Sequence, residues 1–238
     1  MREEPAVVLV HGAFADSTAW NPVLAGLTRQ DVDVIAVANP LRSLQGDAEY
    51  LRDVIEGIDR PVILVGHSYG GMVITEAATD LDAVRGLVYV AAFTPDQGES
   101  AFELAGKFAG STLGSTPLAY PVGGNEVRIG PAKSHVQFAA DPEFEDASRP
   151  GRTQRPVTEK ALTDCLSTAK PAWRTQPTWQ VFGDVDRNIP VELFRFQVRR
   201  SAPYGVYEVP GASHAVATSQ PEAVTATILQ AIAYATAY

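Results

Sequence analysis

Val62-Ile63-Leu64-Val65-Gly66-His67-Ser68-Tyr69-Gly70-Gly71 decides how this chain folds, because an aliphatic run breaks there into Gly-His-Ser-Tyr-Gly-Gly before a second apolar stretch resumes. Consecutive aliphatic residues suit a strand buried on both faces, and Met72-Val73-Ile74-Thr75-Glu76-Ala77-Ala78 lacks turn residues and has the length of a helix. The reading is strand, sharp turn, helix, with Ser68 at the apex. A residue in so tight an apex holds strained backbone angles. Gly66 and Gly70, on either side, let neighbouring backbone pass without a Cβ in the way. The hydroxyl then emerges at the carboxyl end of the strand, where the helix starts with free N–H groups and the positive end of its dipole.

Gly66-x-Ser68-x-Gly70 between a strand and a helix is the pattern of a nucleophile elbow. The plainer alternative, a serine that caps a helix, needs no strand before it. A serine hydroxyl is a weak nucleophile at neutral pH, so the elbow requires a histidine, an acid and oxyanion donors elsewhere in the chain.

Working outward, Ala6-Val7-Val8-Leu9-Val10 reads as a second buried strand, ending in the small-residue loop His11-Gly12-Ala13-Phe14-Ala15. Trp20 to Gln30 reads as a helix with Trp20, Val23, Leu24 and Leu27 on one face, and Val32 to Ala38 as a strand stopped by Asn39-Pro40. A helix from Asp47 buries Leu51, Val54, Ile55 and Ile58, and Gly86 to Ala92 is the strand after the elbow. Thr178 to Phe182 is another strand, Val191 to Ser201 a helix, and Val206 to Val209 an edge strand before a terminal helix from Gln220. Buried strands alternating with amphipathic helices predict an α/β fold of about six mostly parallel strands, with helices on both faces. Residues 1–93 and 172–238 form that core. The intervening 94–171 breaks the rhythm with Gly, Pro and Ser among scattered aromatics, and reads as a lid inserted within the same domain. Its acids Asp141, Glu143, Glu145 and Asp146, and its bases Arg149, Arg152 and Arg155, read as solvated surface.

Loops at the carboxyl ends of strands are where open α/β sheets place chemistry. Four such loops carry reactive residues: 11–13, Ser68, Asp184 to Asp186, and His214. Nucleophile, acid, histidine is the chain order of α/β-hydrolases. His214, among Ala212, Ser213 and Ala215, is the candidate base, and either Asp184 or Asp186 could orient its ring. His11 and His67 read as scaffold groups bonded to loop backbone. The oxyanion donors would be the N–H groups of Tyr69 and Ala13, with Phe14 as alternative donor or pocket wall. Phe14, Phe93, Phe102, Phe108, His135 and Phe138 are candidates for contacting substrate.

Composition narrows the setting. The 238 residues fit one domain, and a net charge of −9 disfavours nucleic acid and anionic membranes as partners, leaving a small-molecule substrate. The acidic start Met1-Arg2-Glu3-Glu4-Pro5 is no secretory signal, and no apolar run reaches the ~20 residues that span a bilayer, so the expectation is cytoplasmic. Cys165, the only cysteine, reads as a buried small residue. The histidines show no metal-ligand spacing, so neither metal nor cofactor is expected.

Val8 to Ala13, Gly66 to Gly71, Gly183 to Pro190 and Gly211 to His214 resemble an α/β-hydrolase of the small-esterase branch that includes plant methyl-ester esterases and hydroxynitrile lyases. They are also similar to compact bacterial α/β-hydrolases of unassigned substrate. The resemblance covers the sheet and only loosely the insertion. It implies Asp186 as the acid, three residues after Gly183, with Asp184 a turn residue. The lyases of this branch carry Thr and Lys where this chain has Gly12 and Ala215, so cyanide elimination is disfavoured. The implied activity is serine hydrolysis of a small, largely apolar ester, lactone or thioester through an acyl-enzyme. The alternatives are a ligand receptor, or a cyclase or carbon–carbon hydrolase on the same fold.

Overall fold

The computed structural model describes residues 4–115, 117–119, 125–138 and 150–237, a few of them, including His135, by backbone alone. In chain order the first part runs β1 (Ala6–Val10), α1 (Asn21–Thr28), β2 (Val34–Val37), α2 (Leu44–Glu56), β3 (Val62–His67), α3 (Gly70–Ala77) and β4 (Val84–Val90). An inserted part follows: α4 (Ala101–Ala105), β5 (Pro117–Ala119), β6 (Glu126–Ile129), α5 (Pro131–Phe138), α6 (Pro150–Thr153), β7 (Val157–Thr158) and α7 (Glu159–Thr163). The chain then returns through β8 (Thr178–Gly183), α8 (Val191–Ser201), β9 (Gly205–Val209), α9 (Val216–Ser219) and α10 (Pro221–Ala237).

Six strands form one parallel sheet in the order β2-β1-β3-β4-β8-β9. This is the α/β fold expected from the alternating runs, with Val206 to Val209 at an edge. Every residue of β1 and β3 is buried, which is why both read as unbroken aliphatic runs. Right-handed crossovers leave β1 toward β2 and return from β2 to β3 in opposite directions, so α1 and α2 cover opposite faces. Helix α10 packs beside α1, and α3 beside α2. Because the strand order reverses between β1 and β3, the crevice at their carboxyl ends opens beside Ser68.

Helix α2 starts three residues before the expected Asp47, because the Ser43 side chain accepts the N–H of Gly46 and caps it. The inserted part carries its own antiparallel sheet, β5-β6-β7. It docks on the loop after β2, where the N–H of Thr158 donates to Leu41 O (3.1 Å), that of Leu44 donates to Asp164 Oδ2 (3.1 Å), and Arg42 pairs with Glu126.

Two expectations fail in this region. Cys165 is exposed, because it follows the short α7 on the surface instead of lying in a core element. Phe102 is 65% exposed, on the outward side of α4, where Ala101 and Leu104 take the buried positions. Tyr120, one of the aromatics scattered through the insertion, the acidic run 141–146 and Arg149 lie outside the described residues. None of the described helices is long and apolar enough to cross a membrane.

Candidate active site

Ser68 has φ of +54°, the left-handed region that a residue with a Cβ enters only when its surroundings force it. The forcing comes from both sides. Ser68 N–H donates to Val90 O (3.3 Å), Ser68 O accepts from the N–H groups of Gly71 (3.0 Å) and Phe93 (3.2 Å), and the chain enters α3 at once. A Cβ at Gly70 would stand 2.4 Å from Val10 O, so only glycine lets α3 start this close to β1. The loop after β1 lies equally close: a Cβ on Gly12 would stand 2.7 Å from Ser68 Cβ. Ala13 and Phe14 are therefore beside the serine, and both are buried. Tyr69 is the N-cap of α3, so its N–H is one of those an α-helix leaves without an intrahelical acceptor.

His214 and Asp186 meet across the ends of β8 and β9. Nδ1 of His214 lies 2.6 Å from Asp186 Oδ2, and both side chains are essentially removed from solvent. A carboxylate only accepts, so Nδ1 carries the proton, and in the neutral ring Nε2 is left with its lone pair. The other oxygen of Asp186 accepts the N–H groups of Asn188 (2.7 Å) and Ile189 (2.9 Å), which fixes the carboxylate in its turn. Asp184 faces elsewhere and accepts the N–H of Gly211 at 2.6 Å, the turn role that the resemblance left to it.

His67 joins the serine loop to the histidine loop. Its Nε2 is 3.0 Å from His214 O, and the two rings are 4.7 Å apart. A carbonyl accepts, so His67 is the Nε2–H tautomer. Burial, followed by the closeness of His214, pushes its pKa down to about 3, so it stays neutral. Burial also lowers the pKa of His11, whose Nδ1 bonds Gly12 O at 2.9 Å. Both histidines hold loop backbone, as read from the sequence.

The aromatic candidates divide. Phe138, at the end of α5, lies 5.6 Å from the His214 ring and 6.1 Å from Phe14, making an apolar wall beside the imidazole. Phe14 itself has φ of +59°. Phe93 contributes backbone to the elbow. Phe108 packs instead on Phe196 of α8, at 5.9 Å, and Phe102 faces solvent. His135 falls on α5, its side chain outside the described part.

Some residues were not visible as site residues in the sequence. Asp47, buried on α2, accepts the Tyr69 hydroxyl (2.9 Å) and the N–H of Arg42 (3.0 Å). Burial raises the pKa of its carboxyl and raises that of the Tyr69 phenol well above the usual range. Asn188 and Gln137, both buried, bond one another beside the acid loop. Asp47 stands four residues before Leu51 and eight before Ile55, so helical spacing puts it on the stripe that α2 buries, and that spacing was its only mark in the sequence. Nothing in its spacing marks Gln137.

The model of the alpha/beta hydrolase family matches residues 7–227. The chain belongs to that family. It is 36% identical over 113 residues to a carbendazim hydrolyzing esterase of Nocardioides sp. (strain SG-4G), a match over 42% of this chain and 47% of that protein. It is 27% identical over 261 residues to salicylic acid-binding protein 2 of Nicotiana tabacum, covering 97% of this chain and 98% of that one. The chain spans less than two thirds of the length of several curated relatives it matches, among them 47% of the carbendazim hydrolyzing esterase and 63% of a putative chloroplastic methylesterase of Arabidopsis thaliana. Among solved structures, polyneuridine aldehyde esterase superposes with a TM-score of 0.80 at 24% identity, over 96% of this chain and 99% of that one, which shows the shared fold.

Proposed function

We propose that this alpha/beta hydrolase is a cofactor-independent serine hydrolase of small, largely apolar carboxylic esters, lactones or thioesters. The Ser68 oxygen attacks the carbonyl carbon as its proton passes to His214 Nε2. Asp186 holds the ring in the tautomer that leaves this nitrogen free and stabilises the imidazolium that forms. The N–H groups of Ala13 and Tyr69 receive the oxyanion. Imidazolium returns the proton to the leaving alcohol or thiol, leaving an acyl-enzyme, which water resolves with His214 again as base.

The observation that carries this reading is the 2.6 Å contact of His214 Nδ1 with a solvent-excluded Asp186 whose other oxygen takes two backbone N–H groups, in a loop tied through His67 to the serine held at positive φ. The esterase names among the relatives support the ester class, and the Phe14–Phe138 wall supports an apolar substrate. The same reading keeps the lid role for residues 94–171, a small molecule as the partner and the cytoplasm as the setting.

The test is release of p-nitrophenol from short-chain esters. Ser68→Ala should lose on the order of 10⁴-fold or more in kcat, since serine and histidine act as one unit. Equal rates for wild type and Ser68→Ala would refute the reading.

A further inference from the structure

Residues 137 and 138, at the end of α5, contact both loops that carry the acid–base pair. Gln137 is 4% exposed. Its Nε2–H₂ donates to Arg187 O at 3.2 Å and to the side-chain oxygen of Asn188, and its Oε1 accepts the Thr112 hydroxyl at 3.0 Å. Arg187 and Asn188 are the two residues after Asp186, and the Asn188 N–H is one of the two donors that fix the acid's Oδ1. The next residue works on the other loop. Phe138 O accepts the Ala215 N–H at 2.8 Å and the Ser213 hydroxyl at 2.9 Å, the residues flanking His214 on either side, and its ring lies against the imidazole. One turn of an inserted helix therefore spans from the acid loop to the histidine loop.

We propose that Gln137 is a positioning residue for the Asp186–His214 pair, so that docking of α5, and not the sheet alone, sets the alignment of acid and base. The proposal rests on the functional reading above. The geometry gives its logic. Asp186 hangs from the end of β8 and His214 from the loop after β9, and a carboxylate–imidazole bond is lost with small shifts of either loop. A misplacement of about 1 Å far from the reacting atoms costs on the order of 100-fold in rate. The titratable groups packed on the His214 ring are Asp186 and the neutral His67, so a loosened Asp186 leaves the imidazolium without its only charged partner among the described residues.

The test is Gln137→Met, which keeps length and apolar bulk while removing both hydrogen-bonding functions. With p-nitrophenyl acetate, kcat should fall roughly 10- to 100-fold with KM little changed. The acid limb of kcat/KM should move to lower pH, because the protonated ring has lost stabilisation. The downfield proton resonance of His214 Nδ1–H should move upfield or broaden. That resonance is read without turnover, so it decides the proposal even if the protein hydrolyses no ester, an outcome that would sink the functional reading instead. Thr112→Val, on an exposed residue, removes a hydroxyl that bonds Oε1 and also lies 3.4 Å from Arg187 O, and should produce a smaller shift of limb and resonance in the same direction. If Gln137→Met does not fold, Gln137→Asn, which draws the amide back by one methylene and away from both acid-loop partners, decides the matter by the same two readouts. A raised KM with limb and resonance both unmoved would make Gln137 a pocket or packing residue and overturn the proposal.

Discussion

The parallel sheet and the segment that interrupts it hold to the molecule by different means. In β1 and in Val62 to Val65 of β3 every side chain is buried in one continuous apolar core, and the two runs differ mainly in which aliphatic residues they use. In the inserted segment the helices and strands are two to eight residues long. Several of their links to the rest of the chain are polar: Gln137 with the acid loop, Asp164 with Leu44, Arg155 N–H with Ala15 O. Burial of apolar area gives the sheet its stability without specifying fine geometry, whereas hydrogen bonds add little net energy each but fix distances to tenths of an ångström. A site assembled where the two meet takes its rigidity from the first and its alignment from the second.

The sharpest way to break that contrast is a pair of identical substitutions. Gly70→Ala drives a methyl group to 2.4 Å from the Val10 carbonyl, where neither backbone can yield, while a Cβ at Gly114 in the insertion meets nothing within 4 Å. By urea unfolding, Gly70→Ala should cost about 3 kcal/mol or more and Gly114→Ala close to nothing. Comparable losses would mean that the insertion is packed as tightly as the core.

A smaller effect probes Asp47, the buried carboxyl that accepts the Tyr69 hydroxyl. Because the folded protein raises the Asp47 pKa above 3.8, the folded state holds that proton more tightly than the unfolded chain. Stability contributed by Asp47 is therefore full below 3.8 and falls as pH rises through the raised value. Asp47→Asn keeps both contacts, its carbonyl accepting the Arg42 N–H and its amide donating to the Tyr69 oxygen, and has no proton to lose. Its stability relative to wild type should grow with pH above 3.8 and then level off. A difference that is flat with pH would remove the electrostatic account of this pair.

Least is expected at Phe102. With the ring turned to solvent, Phe102→Ser should leave unfolding within about 0.5 kcal/mol and ester turnover unchanged. A loss of turnover would show that the ring reaches the substrate, contrary to its place on α4.

The same contrast explains what could be read from residues alone. Aliphatic runs with period and punctuation announce buried strands, so the sheet, its edge at β9 and the strained serine at the end of β3 were all legible. Order along the chain also singled out His214 as the histidine to examine, and its ring lies against Asp186. Choosing Asp186 over Asp184 needed resemblance, since both follow β8 and only the folded turn shows one facing Gly211 and the other His214. Phe102 and Cys165 misled because a single apolar residue in a five-residue helix, or just after one, has no periodic stripe to reveal its face. Gln137 was invisible for the reason that makes it interesting: its partners Thr112, Arg187 and Asn188 lie 25 to 51 residues away in the chain, and only the fold brings them to it.

The central claim is that the Ser68 oxygen is a nucleophile activated by the imidazole of residue 214. Intact-mass and peptide analysis after exposure to a fluorophosphonate tests it without knowledge of the natural substrate. The account predicts one adduct per chain, on Ser68, absent from Ser68→Ala and formed far more slowly by His214→Ala. Full labelling of Ser68→Ala, or labelling of Ser68 at the same rate once His214 is replaced, would contradict it.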